Sequence, residues 1–151
     1  MLTRKIGKQL KNAKVICFDV DSTVLSNEGI DELAKYLKVY KEVSEITNNA
    51  MNGNIAFEIS LEKRLNIMKP SINDINSFLQ KNPPNFTEGV QDFIKILKNN
   101  SEIYLVSGGF EPLIKPCAKI LNIPYQNIIA NKFIHNKETG EYISFDKTSF
   151  T

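Results

Sequence analysis

Two aspartates, Asp19 and Asp21, follow the apolar run Val15-Ile16-Cys17-Phe18 and precede Ser22-Thr23. A short β-prone run that stops at carboxylates reads as a buried strand giving way to a loop. Both carboxylates can then face one pocket beyond the strand's carboxyl end, where open α/β sheets bind ligands. An Asx-rich turn after a strand would leave the same pattern. A second candidate, Ser107-Gly108-Gly109, follows Glu102-Ile103-Tyr104-Leu105-Val106 and precedes Glu111-Pro112. A hydroxyl and two glycine amides at a strand end suit phosphate oxygens; a plain Gly-Gly turn is the alternative. Two parallel strands of one sheet place their carboxyl ends side by side, so Asp19, Asp21 and Ser107 can converge.

Converged, these groups suit phosphoryl transfer through a covalent aspartyl-phosphate. Asp19 would attack phosphorus. Asp21 would protonate the leaving alcohol and then activate the hydrolytic water. Mg²⁺, a hard ion that takes oxygen ligands, would offset the charge between anionic nucleophile and anionic substrate. Ser107 and the neighbouring amides would stabilise the transferring group.

The surrounding chain reads as α/β. Residues 14–19 form a first strand whose unalternating apolar run predicts cover on both faces. Residues 25–82 are helical in pattern, beginning with Ile30, Leu33, Ala34 and Leu37 on one face. A second helix is expected near 41–50, broken by Asn52-Gly53-Asn54. A third carries Ile55, Ile59, Leu65 and Met68 and ends before Pro70. Ser71 and Asp74 read as a capping pair that opens a fourth. The α/β rhythm then resumes. A helix capped by Thr87 is followed by a strand over 102–106, a helix over 111–121 with an irregular first turn at Pro112 and Pro116, a strand over 127–130, and a hairpin over 132–145. The expected fold is a Rossmann-like parallel-sheet core, residues 1–24 and 86–151, with an inserted helical cap at 25–85. A thin apolar stripe in residues 2–12 predicts a short helix beside the sheet, with Lys5, Lys8 and Lys11 on a solvated face.

Composition narrows the function classes. The 151 residues are 42% hydrophobic, enough for one domain with a core. A net charge of +2 from 19 basic and 17 acidic residues leaves no footprint for nucleic acid or membrane. No apolar run reaches the ~18 residues of a membrane span. Cys17 and Cys117, on separate apolar segments, read as buried thiols in a reducing compartment, so a cytoplasmic location is expected. His135, the single histidine, reads as exposed and inert.

Asp-Val-Asp-Ser-Thr-Val at 19–24, with Asn-Glu-Gly-Ile-Asp-Glu-Leu-Ala at 27–34, resembles the opening of the phosphoserine phosphatases, a family within the haloacid dehalogenase superfamily. Ala50-Met51-Asn52-Gly53, Leu61-Glu62-Lys63-Arg64-Leu65, Leu105 to Phe110, Ile114-Lys115-Pro116 and Asn127 to Asn131 extend the resemblance over nearly all of 14–146. The resemblance implies Asp19 as nucleophile and Asp21 as acid/base, with Mg²⁺ on Asp19, Asp21 and the Val20 carbonyl. It implies Glu28 on the ammonium and Arg64 on the carboxylate of O-phospho-L-serine. Met51, Gly53 and Phe57 would line the cap side, and Ser107, Gly108 and Gly109 would hold the phosphate. Arg is the planar bidentate partner for a carboxylate, and Glu suits an amine. The implied reaction is Mg²⁺-dependent hydrolysis to serine and phosphate, the last step of serine synthesis.

Two motifs of the family lack counterparts: a lysine after the hairpin, and a strand ending in Gly-Asp with a further Asp. Lys147 comes too soon after the hairpin to supply the first. The expectation is therefore an amino-terminal portion, nearly inactive alone, whose first strand has a bare edge open to a homodimer or strand exchange. The competing expectations are a non-catalytic phosphoserine-binding or self-associating fragment, and a related phosphatase for another small phosphomonoester.

Overall fold

A computed structural model describes residues 9–10, 12–51 and 56–148. Three parallel strands, β1 (Val15–Phe18), β2 (Glu102–Phe110) and β3 (Ile128–Asn131), form one sheet in the order β1-β2-β3. Val15 pairs with Glu102 and Leu105 with Ile128. After β1 come the helices of one segment, α1 (Gly29–Tyr36), α2 (Tyr40–Met51), α3 (Phe57–Met68) and α4 (Ile72–Lys81). Helix α5 (Val90–Leu97) leads into β2, and α6 (Glu111–Ile120) leads out of it. After β3, an antiparallel hairpin forms from β4 (Phe133–His135) and β5 (Tyr142–Phe145). This is the α/β parallel-sheet architecture expected. Among the described residues no helix is long and apolar enough to cross a membrane.

Local chemistry explains most boundaries. Ser71 accepts from the Asp74 amide while the Asp74 carboxylate accepts from the Ser71 amide, a complete capping box on α4. Gly140 turns the hairpin with φ 74°, a left-handed conformation that glycine adopts freely. Pro112 starts α6, while Pro116 lies inside it. The break at Asn52-Gly53-Asn54 and nearly all of the 2–12 helix, its lysines included, lie outside the described residues; Leu10 packs against the sheet core.

Four expectations are corrected. The first strand is covered on one face only. Ile16 and Phe18 pack on the core, but Val15 is 52% exposed and Cys17 is exposed, while Cys117 is buried. An unalternating apolar run says that a strand tolerates cover, not that a layer lies against each face. Helix α5 starts after Gly89, at φ 76°, and Thr87 contributes its backbone carbonyl to the Val90 N–H instead of a side-chain cap. The strand expected over 102–106 runs on through Ser107-Gly108-Gly109 to Phe110, in an irregular stretch between the Val106–Ile129 and Phe110–Asn131 pairs. His135 is half-buried, and its Nε2 lies 3.0 Å from the Pro70 carbonyl. A carbonyl only accepts, so Nε2 carries the proton.

The buried apolar residues form two clusters. One fills the space between the sheet and α5 and α6, with Val20, Val24, Leu105 and Cys117 fully enclosed. The other gathers Leu33, Val43, Leu61 and Leu65 of the four-helix segment with Phe110, Leu113 and Phe145. The rings of Phe110 and Phe133 stack at 3.9 Å and 6°. An isolated antiparallel bridge, Leu25–Phe86, joins the chain where it enters and leaves the helical segment.

Candidate active site

At the carboxyl end of β1 the chain makes a tight turn over Val20–Val24, closed by the Leu25 N–H on the Val20 carbonyl at 2.9 Å. Asp19 and Asp21 keep extended backbone, and Ser22 takes φ 53°. The left-handed step costs about 1 kcal/mol or more for a non-glycine residue and is a common feature of functional turns. Asp19 and Asp21, two residues apart, share the parity that puts strand residues on one side.

The carboxylates are held differently. Asp19 is exposed; one oxygen accepts from the Val20 N–H at 2.8 Å and the other from the Thr23 hydroxyl at 3.2 Å. Asp21 is clamped from two elements. Its Oδ1 accepts from the Gly29 N–H at the start of α1, at 2.7 Å, and its Oδ2 accepts from the Ser107 hydroxyl at 3.0 Å. Ser107 in turn accepts from the Gly109 N–H at 2.9 Å. Its hydroxyl thus relays between β2 and the turn. Burial pushes the Asp21 carboxyl above its ordinary value, against the lowering by Gly29 and Ser107, and the Glu28 and Asp19 charges add to the rise. A carboxyl whose proton affinity is raised in this way suits a proton donor.

Space at the site is tight. A Cβ on Gly109 would lie 2.8 Å from Asp21 Oδ2, and one on Gly29 3.3 Å from Oδ1. A Cβ on Gly108 would lie 3.3 Å from the Phe57 ring.

One cavity of about 740 Å³ opens over these groups. Asp19, Asp21, Gly108 and Gly109 line its sheet side, and Glu28, Phe57 and Arg64 its helical side. Ser107 stands behind the wall, 2% exposed. Glu28 accepts from the Ser22 hydroxyl and so is tied to the aspartate turn. Arg64 is not the surface residue that its helix position alone suggests. It is 9% exposed, and its Nε donates to the Ser60 carbonyl at 3.4 Å. Burial lowers its guanidinium below the ordinary value, against Asp31 and Glu28, which pull it back up. Met51 ends α2, but its side chain and all of Gly53 lie outside the described residues.

Oxygen donors for a metal are present. Asp19 and Asp21 share one rim, which suits Mg²⁺ bound through one or two carboxylates, water and substrate phosphate. The Val20 carbonyl already accepts from Leu25 and has one lone pair left. Among the described residues, no group of three or more His, Cys, Asp or Glu could hold a metal alone.

Several contributors escaped sequence reasoning. Gly29 donates the amide that fixes Asp21, and Asn131, 5% exposed, donates to the Gly108 carbonyl at 2.8 Å. Asp31 lines the same cavity, its carboxyl raised by burial and lowered by Arg64 and Lys35. Gly29 and Asn131 stood inside stretches that carried the resemblance; nothing local marked their roles.

Known proteins resemble this chain in sequence and in fold. The "Phosphoserine phosphatase, chloroplastic" of Arabidopsis thaliana is 43% identical over 142 residues, spanning 93% of this chain and 48% of that protein. The phosphoserine phosphatase of Homo sapiens is 40% identical over 150 residues, spanning 97% and 65%. The chain thus spans about half to two thirds of these relatives. A phosphoserine phosphohydrolase-like protein from Francisella tularensis superposes with a TM-score of 0.77 at 36% identity, over 90% of this chain and 65% of that one. A substrate-bound phosphoserine phosphatase complex superposes at 0.75 and 34%, over 90% and 63%. The model of the haloacid dehalogenase-like hydrolases matches residues 13–147, and the chain belongs to that family.

Proposed function

We propose that this chain is the amino-terminal part of a phosphoserine phosphatase. Asp19 attacks the phosphorus of O-phospho-L-serine and forms an aspartyl-phosphate. The phosphorus–oxygen bond to serine breaks as Asp21 gives its proton to the departing serine oxygen. Water then attacks the phosphorylated Asp19, its proton passes to the Asp21 carboxylate, and phosphate and free Asp19 result. The Gly29 amide and the Ser107 hydroxyl hold Asp21 for both transfers, and Gly108 and Gly109 bring backbone close to the phosphoryl group. Arg64 takes the substrate carboxylate and Glu28 its ammonium. Mg²⁺ held by Asp19, Asp21 and the Val20 carbonyl supplies charge neutralisation. Residues 25–85 act as the cap over a core of 1–24 and 86–151. Low turnover by this stretch alone, a cytoplasmic location and a place in serine synthesis belong to the same proposal.

The observation that carries the reading is a single cavity joining a two-aspartate strand end to an ammonium-type and a carboxylate-type partner. The test is hydrolysis with Mg²⁺ of O-phosphoserine, O-phosphoethanolamine and O-phospholactate by the intact protein. Phosphoserine is expected to be preferred by at least about tenfold over either ester, since each leaves a charged partner unpaired. Preference for an ester that lacks the amine or the carboxylate overturns the Glu28 and Arg64 roles. The exposed outer face of β1, with Val15 and Cys17, supports a second reading, self-association through that strand. Light scattering that finds a monomer rejects it.

A further inference from the structure

Among the described residues, the wall of the cavity contains one buried side-chain polar atom without a partner. Ser60 is 1% exposed, and its hydroxyl is the one buried side-chain polar atom among the described residues that makes no hydrogen bond. Leaving such a group unpaired opposes folding, so it calls for a partner from outside the chain. The other serine and threonine hydroxyls of the cavity are paired: Ser44 donates to the Lys41 carbonyl at 2.9 Å and Thr47 to the Val43 carbonyl at 3.2 Å. The Ser60 backbone is also satisfied, its N–H by the Ala56 carbonyl and its carbonyl by Arg64 Nε.

Position says what the partner is. Phe57, Ser60 and Arg64 recur at i, i+3 and i+7 on α3, and all three line the cavity. Phe57 stands at the phosphate-side backbone of Gly108, and Arg64 lies two turns further along. Ser60 sits between them, one turn from Arg64. A guanidinium beside it favours an anionic partner, and a serine hydroxyl can donate to one. We infer that Ser60 is a specificity-determining residue, whose hydroxyl donates to the substrate carboxylate bound by Arg64. The inference rests on the phosphoserine reading above and deepens it. It requires the hydroxyl to turn about χ1 from the wall toward the cavity as the ligand seats.

Calorimetric titration of the intact protein and its Ser60→Ala and Ser60→Cys variants with O-phosphoserine and O-phosphoethanolamine tests it. Ser60→Ala is expected to weaken phosphoserine binding by about tenfold, the loss of one hydrogen bond to a charged group, and to leave phosphoethanolamine within about twofold. Ser60→Cys, a weaker donor of similar size, is expected to fall between. The melting temperature of Ser60→Ala is expected to hold or rise, because an unpaired buried hydroxyl is removed. Equal weakening of both ligands, or a drop in melting temperature, makes the hydroxyl structural and overturns the inference. Unchanged phosphoserine affinity overturns it while leaving the phosphatase reading intact. A parent protein that binds neither ester overturns both.

Discussion

The Gly109→Ala substitution probes the acid/base clamp most directly. The added Cβ would sit 2.8 Å from Asp21 Oδ2 and 3.1 Å from Ser107 Oγ, whereas ordinary contact begins at 3.4 Å. The carboxylate must therefore retreat by about 0.6 Å. It has little freedom to do so, because the Gly29 N–H and the Ser107 hydroxyl hold its two oxygens at 2.7 and 3.0 Å. A shift of that size stretches the Ser107 bond past useful length. Losing a hydrogen bond to a charged group is worth about 1.5–3 kcal/mol. Spent on Asp21 in the transition state, this gives a fall in kcat of about 10- to 100-fold, in line with the sensitivity of catalysis to small misplacements. Gly29→Ala, with its Cβ 3.3 Å from Oδ1, is expected to lose several-fold less. Steady-state kinetics on phosphoserine, with melting curves to check folding, measure both. Both variants folded, with kcat within about twofold of the parent, would refute the claim that the glycines exist to seat Asp21.

Three further outcomes are expected. Asp21→Asn removes a carboxyl whose pKa burial has raised. The folded protein then retains a proton that the unfolded chain releases above 3.8, so the parent loses stability as pH rises from there through the folded value. Asp21→Asn is expected to melt higher than the parent at pH 7 and equal to it near pH 3, and the reverse ordering contradicts burial as the dominant cause. Ser107→Ala leaves the buried Gly109 N–H without its acceptor, so calorimetry should show a loss of about 1–3 kcal/mol besides the loss of activity. In the native protein, a thiol reagent should label Cys17 at once, and Cys117 only on unfolding, since burial both hides it and pushes its thiol up to about 12. A protected Cys17 would mean that β1 is covered in solution.

The aspartates and the Ser107 segment were readable because strand-end chemistry is local: an apolar run, a stop and reactive groups follow one another. The capping box of α4 was readable for the same reason. What was hidden depends on neighbours in space. Gly108 and Gly109 resemble a turn until the Val106–Ile129 and Phe110–Asn131 pairs draw them into β2. Cys17 reads as core until one face of β1 proves uncovered. Arg64 reads as surface on its helix alone, yet it is 9% exposed and shares a cavity with Asp31 of α1 and Ser44 of α2, which are distant in the chain. Thr87 offers a good cap, but Gly89 turns the backbone after it and starts the helix there.

Phe110 follows Gly109 directly, yet its ring is buried with the helical segment and the hairpin, not with the sheet. The hairpin is bound to that segment as well, through Ile72 N–H on the Gly140 carbonyl and His135 on the Pro70 carbonyl. The four helices therefore cannot melt and leave the sheet end intact, since their core contains the residue that anchors it. Thermal unfolding should be a single cooperative transition, and limited proteolysis should not release residues 25–85 as a surviving folded piece.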